Sequence, residues 1–414
     1  MFYYNLDNEI LFSSSKYDDL KEISEKDAMG NTHNIFLLKK MEPLKSRRSF
    51  SVSDPSLVYD QDEGVNLLQK KDPVNFTLPN WIIDKINHRK VTCINTEYPN
   101  WKDVLNNSSP KKWIVNVLGL GDVGGTLITG LRLLGGDCIS EVGIYDRGDS
   151  KKRRWVLEGN QILSAFDGRS YPRIKGVSLE ELFDCDMFVF CASVGVPPAH
   201  EKVEDVRMIQ FQGNSKILET YANMARKRGF KGIFAVVSDP VDLLCKSVFL
   251  TSNTDKNGEL DYKGLAPEQI RGYGLGVMHA RAAYYSSLSP ETSHYINEGR
   301  AYGPHGEGLI IADSIENYNP EISLHLTQKA KEANLEVRGT GFKPYIAPAL
   351  SSGSLSLIAT IKGDWHYSTT YMGGVFMGAK NRLASTGTEI ERLKLPKPLI
   401  DRLQKTYKKL ESII

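Results

Sequence analysis

Trp113-Ile-Val-Asn-Val-Leu-Gly-Leu-Gly-Asp-Val-Gly124 runs from an apolar, β-branched stretch straight into a Gly-x-Gly-x-x-Gly turn. The residues that follow, Gly125 to Leu134, carry a helical pattern. In that setting each glycine has a task. Gly119 permits the tight turn, Gly121 lets a diphosphate approach the backbone, and Gly124 lets helix and strand pack closely. The helix N-terminus then presents free N–H groups to the phosphates. Gly119, Gly121, Asp122, Val123 and Gly124 are therefore read as cofactor-binding. Asp146 closes the next strand-like run, Glu141 to Tyr145, where a carboxylate can accept from ribose hydroxyls.

Further apolar runs, Met187 to Ala192 and Gly232 to Val237, alternate with helical patterns. Such alternation predicts an α/β chain with a Rossmann-type, doubly wound parallel sheet. Ala192, at the end of its strand, joins the predicted cofactor set. Past about residue 265 the pattern is mixed and reads as an α+β substrate domain. The first 110 residues are polar and turn-rich and read as a small α+β extension of unknown role. The expected division is 1–110, 111–250 and 251–414, with Asn106–Pro110 as linker. The basic cluster Lys45-Ser-Arg-Arg-Ser49 reads as a solvated loop.

The chain has 414 residues, 41% hydrophobic and 25% charged, with a net charge of +2. These values suit a globular protein and give no overall field for nucleic acid or membrane, so neither is expected as partner. The start, Met1 to Glu9, lacks a basic segment followed by an apolar core, so no signal peptide is expected. Five scattered cysteines without a Cys-x-x-Cys point to a reduced, cytoplasmic setting.

Several further motifs resemble the lactate/malate dehydrogenase family, from about Trp113 to Ile414. Ala235-Val-Val-Ser-Asp-Pro-Val-Asp-Leu-Leu244 is similar to its V-S-N-P-V-D strand and turn. Gly276-Val-Met-His-Ala-Arg281 is similar to its L-D-x-x-R helix, and Gly303-Pro-His-Gly306 to its G-x-H-G turn. Arg281 and His305 are 305 − 281 = 24 residues apart, the family spacing. Ala347-Pro-Ala349 and Gly387-Thr-Glu-Ile-Glu391 follow in family order.

The resemblance implies hydride transfer between a nicotinamide cofactor and a small 2-hydroxy or 2-oxo acid, in a homo-oligomer. Arg281 would hold the carboxylate bidentately. His305 would exchange the proton with the carbonyl oxygen. Arg207, seven residues before Asn214, matches the arginine of the mobile loop. Asp146 disfavours a 2′-phosphate, which selects NAD. Arg147 and Lys151-Lys-Arg-Arg154 could reverse this, so NADP stays open. No metal site is expected.

The chain departs from the family at three places. Met278 stands where an aspartate orients the histidine, Asp239 replaces an asparagine, and Lys343 lies near a position that shapes the substrate pocket. Asp239 could restore an Asp–His pair, could meet an amine on the substrate, or could mark a degraded site. The expected substrate is accordingly not plain lactate or malate. The alternative is a catalytically weak or inactive NAD-binding pseudo-dehydrogenase with a regulatory or scaffold role. An NAD-dependent glycosidase is disfavoured because Cys191 and His200 lack that group's Cys-Asn-x-Pro context.

Overall fold

A computed structural model describes residues 1–30, 33–71, 78–106, 110–165, 168–194 and 206–414. Strands β1 (Phe2–Leu6) and β2 (Glu9–Ser13) form a hairpin. Its two-residue turn is Asp7-Asn8, both at positive φ (53° and 69°), the conformation that Asp and Asn tolerate best among residues with a Cβ. There follow β3 (Glu22–Ile23), α1 (Glu25–Met29), β4 (Ile35–Lys39), β5 (Ser49–Ser51), α2 (Ser56–Tyr59), α3 (Asn80–Asn87) and β6 (Val91–Asn95). The sheet order is β3-β1-β2-β4-β6-β5. The pairs β2–β4 and β4–β6 are parallel, and every residue of β4 and β6 is buried, as strands covered on both faces require.

The basic cluster is not the solvated loop its composition suggests. Arg47 and Arg48 are buried and paired. Arg47 Nε meets Glu63 at 3.0 Å, and Arg48 Nε meets Glu268 at 3.0 Å. Two acidic residues distant in sequence make this burial tolerable, and neither could be matched to the cluster by local pattern.

The second sheet is assembled from β7 (Trp113–Leu118), α4 (Asp122–Leu134), β8 (Ile139–Tyr145), α5 (Asp149–Asn160), β9 (Arg173–Gly176), β10 (Met187–Phe190), α6 (Val206–Arg228), β11 (Ile233–Val236), α7 (Val241–Asn253) and β12 (Ile270–Gly272). Its six strands run in the order β9-β8-β7-β10-β11-β12, all parallel. This is the expected α/β sheet, and its parallel part extends past residue 250. Next come α8 (Leu275–Ser286), α9 (Tyr295–Glu298), the short antiparallel pair β13 (Arg300–Tyr302) and β14 (Ile310–Ala312), α10 (Pro320–Gly339) and α11 (Leu355–Lys362). Strands β15 (His366–Met372), β16 (Val375–Ala384) and β17 (Gly387–Ile390) then extend the large sheet antiparallel beyond β12, and α12 (Lys397–Glu411) ends the chain. His366 opens a buried strand. Among the described residues no helix is long and apolar enough to cross a membrane.

The two sheets share one core. Leu57, Val58 and Leu68 from the N-terminal unit pack with Met377, Ala379, Leu399, Leu403 and Tyr407. Glu268 adds a polar tie, accepting from Arg48 and from Ser49 Oγ (2.9 Å). Removing its carboxylate strands a nearly buried guanidinium. Glu268→Ala is expected to lower unfolding free energy by about 3 kcal/mol in urea titration, whereas Glu259→Ala at an exposed turn leaves the midpoint in place.

Candidate active site

The parallel strands end on one edge, and the predicted residues gather there. Gly119 follows β7 at φ 98°, and a Cβ on it would stand 3.0 Å from the Ala192 nitrogen. Gly124 is held closer still, since its Cβ would lie 1.9 Å from the Gly119 carbonyl oxygen. Gly121, by contrast, faces open space. Asp146 follows β8. Its carboxylate accepts from the Leu120 N–H (3.1 Å) and the Gly148 N–H (3.2 Å), and pairs with Lys151 (3.1 Å). Burial alone would raise its pKa, but these three partners outweigh it and hold the carboxyl below its usual range. Lys151 lies in the first turn of α5, so the basic run there is helical.

Asp239 follows β11, and His305 lies in the Gly303–Gly308 turn between β13 and β14. His305 Nδ1 and Asp239 Oδ1 are 2.7 Å apart. The backbone N–H of His305 donates to Asp242 Oδ2 at 3.3 Å, and Thr369 donates to the other oxygen at 2.8 Å. Among the described residues His305 Nε2 has no hydrogen-bond partner. Asn214 is fully buried and ties two site segments together. Its amide nitrogen donates to the Asp239 carbonyl at 2.6 Å, and its oxygen accepts from Val194 N–H at 2.8 Å.

Arg281 stands on α8, half-buried. Its Nη1 reaches the Ala330 carbonyl (3.4 Å) and Met278 sulfur (3.5 Å). Burial lowers its pKa, and the nearby charge of Asp239 opposes this. Among the described residues no carboxylate hydrogen-bonds to Arg281. Met278 itself is buried in the apolar cluster of Leu275, Val277, Leu309 and Leu326. Among the described residues no three His, Cys, Asp or Glu side chains converge to hold a metal ion.

No protein-family model matches the chain. The L-lactate dehydrogenase of Oceanobacillus iheyensis is 28% identical over 200 residues, 47% of this chain and 54% of that protein. The chain thus spans about half the length of that relative. Among solved structures, the fold is similar to a lactate dehydrogenase from a Medee basin deep-sea metagenome library. The TM-score is 0.59 at 20% identity, covering 73% of this chain and 98% of the other. It is also similar to malate dehydrogenase from Archaeoglobus fulgidus in complex with NADH, with TM-score 0.58 at 16% identity, covering 72% and 97%. In fold, the chain is similar to lactate and malate dehydrogenases.

His305, Asp239 and Arg281 lie at one strand edge, and Gly119, Gly121, Asp122, Val123, Gly124, Asp146 and Ala192 lie along the same edge. Arg207 falls in the first turn of α6 and its side chain lies outside the described residues, as do residues 195–205, including His200. Lys343 Nζ lies 3.2 Å from Asp122, at the glycine turn. Asp242 and Asn214 were not singled out in the sequence as site residues. The only signal for Asp242 was its place three residues after Asp239, on the first turn of the helix that follows. His279 is no acid–base candidate, because it stacks on Tyr367 at 4.3 Å and hydrogen-bonds Tyr295 at 2.8 Å.

Burial pushes the pKa of His279 down to about 4, and that of His366 likewise to about 4. Above about pH 6.5 both histidines are neutral folded or unfolded. Between that pH and 4 only the unfolded chain takes up these protons, so stability falls as pH falls through this window. Urea midpoints measured across it should drop steadily, and His366→Gln should flatten the slope relative to the parent.

Proposed function

We propose that the chain is an oxidoreductase that moves a hydride between a nicotinamide dinucleotide and a small 2-hydroxy or 2-oxo carboxylic acid. The observation that carries this reading is the 2.7 Å hydrogen bond between His305 Nδ1 and Asp239 Oδ1. A carboxylate at that distance fixes the ring tautomer and favours the imidazolium, the two services an acid–base histidine needs. Met278 cannot provide either, so Asp239 supplies them from the end of β11.

The nicotinamide, when bound, supplies or accepts the hydride. Arg281 holds the substrate carboxylate, which would neutralise a half-buried charge that now lacks a carboxylate partner among the described residues. His305 donates a proton from Nε2 to the carbonyl oxygen in reduction and takes it from the hydroxyl in oxidation. Arg207 polarises the carbonyl. Asp239, with its side chain 46% exposed, also brings a negative charge close to the reacting carbon. That charge supports an acid other than plain lactate or malate, and favours one bearing a positive group. NAD is the preferred cofactor, because Asp146 would oppose a 2′-phosphate. A homo-oligomer and a cytoplasmic location complete the reading, the latter supported by five unpaired cysteines.

NADH oxidation over a panel of 2-oxo and amino-2-oxo acids tests it. His305→Gln should lower kcat about 10²- to 10⁴-fold with NADH still bound. Asp239→Asn should cost about a hundredfold or more, and Arg281→Met should lower kcat/KM with any carboxylate substrate. Should the parent bind NADH yet turn over no member of the panel, the nucleotide-binding pseudo-dehydrogenase takes its place. For the cofactor, NADH should bind at least about tenfold tighter than NADPH, and Asp146→Ser should erase the difference. Equal affinities in the parent would refute the preference for NAD.

A further inference from the structure

The glycine turn carries an acid where the cofactor reading calls for an anion. Asp122 is the first residue of α4, directly after Gly121. A carboxylate there suits the positive end of the helix dipole. It also occupies the field that would draw a diphosphate, and would repel one. Its counter-charge comes from far along the chain. Lys343, in the segment after α10, places Nζ 3.2 Å from Asp122 Oδ2, 221 residues away in sequence. Among the described residues neither side chain has another ion-pair partner. The neighbouring lysines are committed elsewhere, Lys151 to Asp146 and Lys152 to Asp149.

We propose that Lys343 is a phosphate ligand for the dinucleotide, and that Asp122 competes with the diphosphate for it. The inference rests on the dinucleotide reading above. The pair is exposed, 79% at Lys343 and 52% at Asp122, so water screens it and it opens readily. A diphosphate offers more charge and more acceptor oxygens than one carboxylate. Gly121 leaves the backbone beside Asp122 open to such a group. On binding, the ammonium passes from Asp122 to the phosphates. Asp122 keeps that lysine over the groove beforehand, and weakens binding by its own charge.

Fluorescence titration with NADH, and calorimetry with ADP and adenosine, test the proposal on the full chain. Lys343→Met should weaken NADH and ADP roughly tenfold and leave adenosine, which has no phosphate, unchanged. Asp122→Asn should tighten NADH and ADP roughly threefold, the opposite sign. The loss from Lys343→Met should shrink at high salt. Lys343→Gln serves as a second variant, and thermal melts of each check folding. A passive surface pair predicts that both substitutions leave affinity alone or shift it in one direction. Either result, in a parent that binds NADH, would overturn the role of Lys343. A parent that binds neither NADH nor ADP would overturn the dinucleotide reading itself, and this proposal with it.

Discussion

Parallel pairing puts the carboxyl ends of neighbouring strands on the same edge, and most of the site depends on that constraint. Gly119 follows β7, Asp146 follows β8, Ala192 lies just past β10, and Asp239 follows β11. Arg281 arrives on the helix after β12. No local preference of these residues brings them together. The register does, since β10 pairs with both β7 and β11 from its first residue to its last. A crossover helix is the price of each parallel step, and those helices cover the sheet faces so that only the strand ends stay open. His305 comes from outside this scheme, in a turn of the β13–β14 pair, and close packing fixes it against the edge. A Cβ on Gly274 would lie 2.8 Å from the His305 Cβ, so the start of α8 and the histidine turn leave no slack between them.

Charge at the site is concentrated at position 239 and absent at 278. Met278 lies on the buried face of α8, where its neighbours are Leu275, Val277 and Leu309. Asp239 puts a carboxylate at the end of β11, with part of its side chain open to solvent. The histidine has an acceptor at Nδ1, and the open side of the site carries a negative charge. Arg281, whose nearest polar contacts are a carbonyl and a thioether, then feels Asp239 as a neighbouring rather than a bonded charge. Asn214 steadies the arrangement through the backbone carbonyl of Asp239.

Much of this was legible in the sequence, for a physical reason. The glycine turn and its flanking strand and helix are contiguous, so sterics and periodicity expose them together. Arg281 and His305 are readable through spacing and neighbours. The hydrogen bond from His305 to Asp239 spans 66 residues and two elements, and the sequence left it as one of three alternatives. Lys343 was harder. A loop residue's reach depends on the fold around it, and pattern offered no reason to set it against Asp122. The N-terminal unit was least legible. Its strands β2, β4 and β6 pair in parallel across long connections, and the burial of Arg47 and Arg48 hinges on Glu63 and Glu268. Basic residues read locally look like surface.

The meeting of the two sheets has a consequence for solubility. β17 is the last strand of the large sheet, and among the described residues one flank of it has no hydrogen-bonded strand neighbour. An open strand edge is a template on which other chains can assemble. Here β5 of the N-terminal unit lies against it. Gly387, at φ 112°, comes so near that a Cβ would stand 3.2 Å from the Ser51 nitrogen, and Ser51 and Thr386 share a hydrogen bond of 2.7 Å. The N-terminal unit therefore covers a strand border on which other chains could assemble, a service independent of any chemistry at the site.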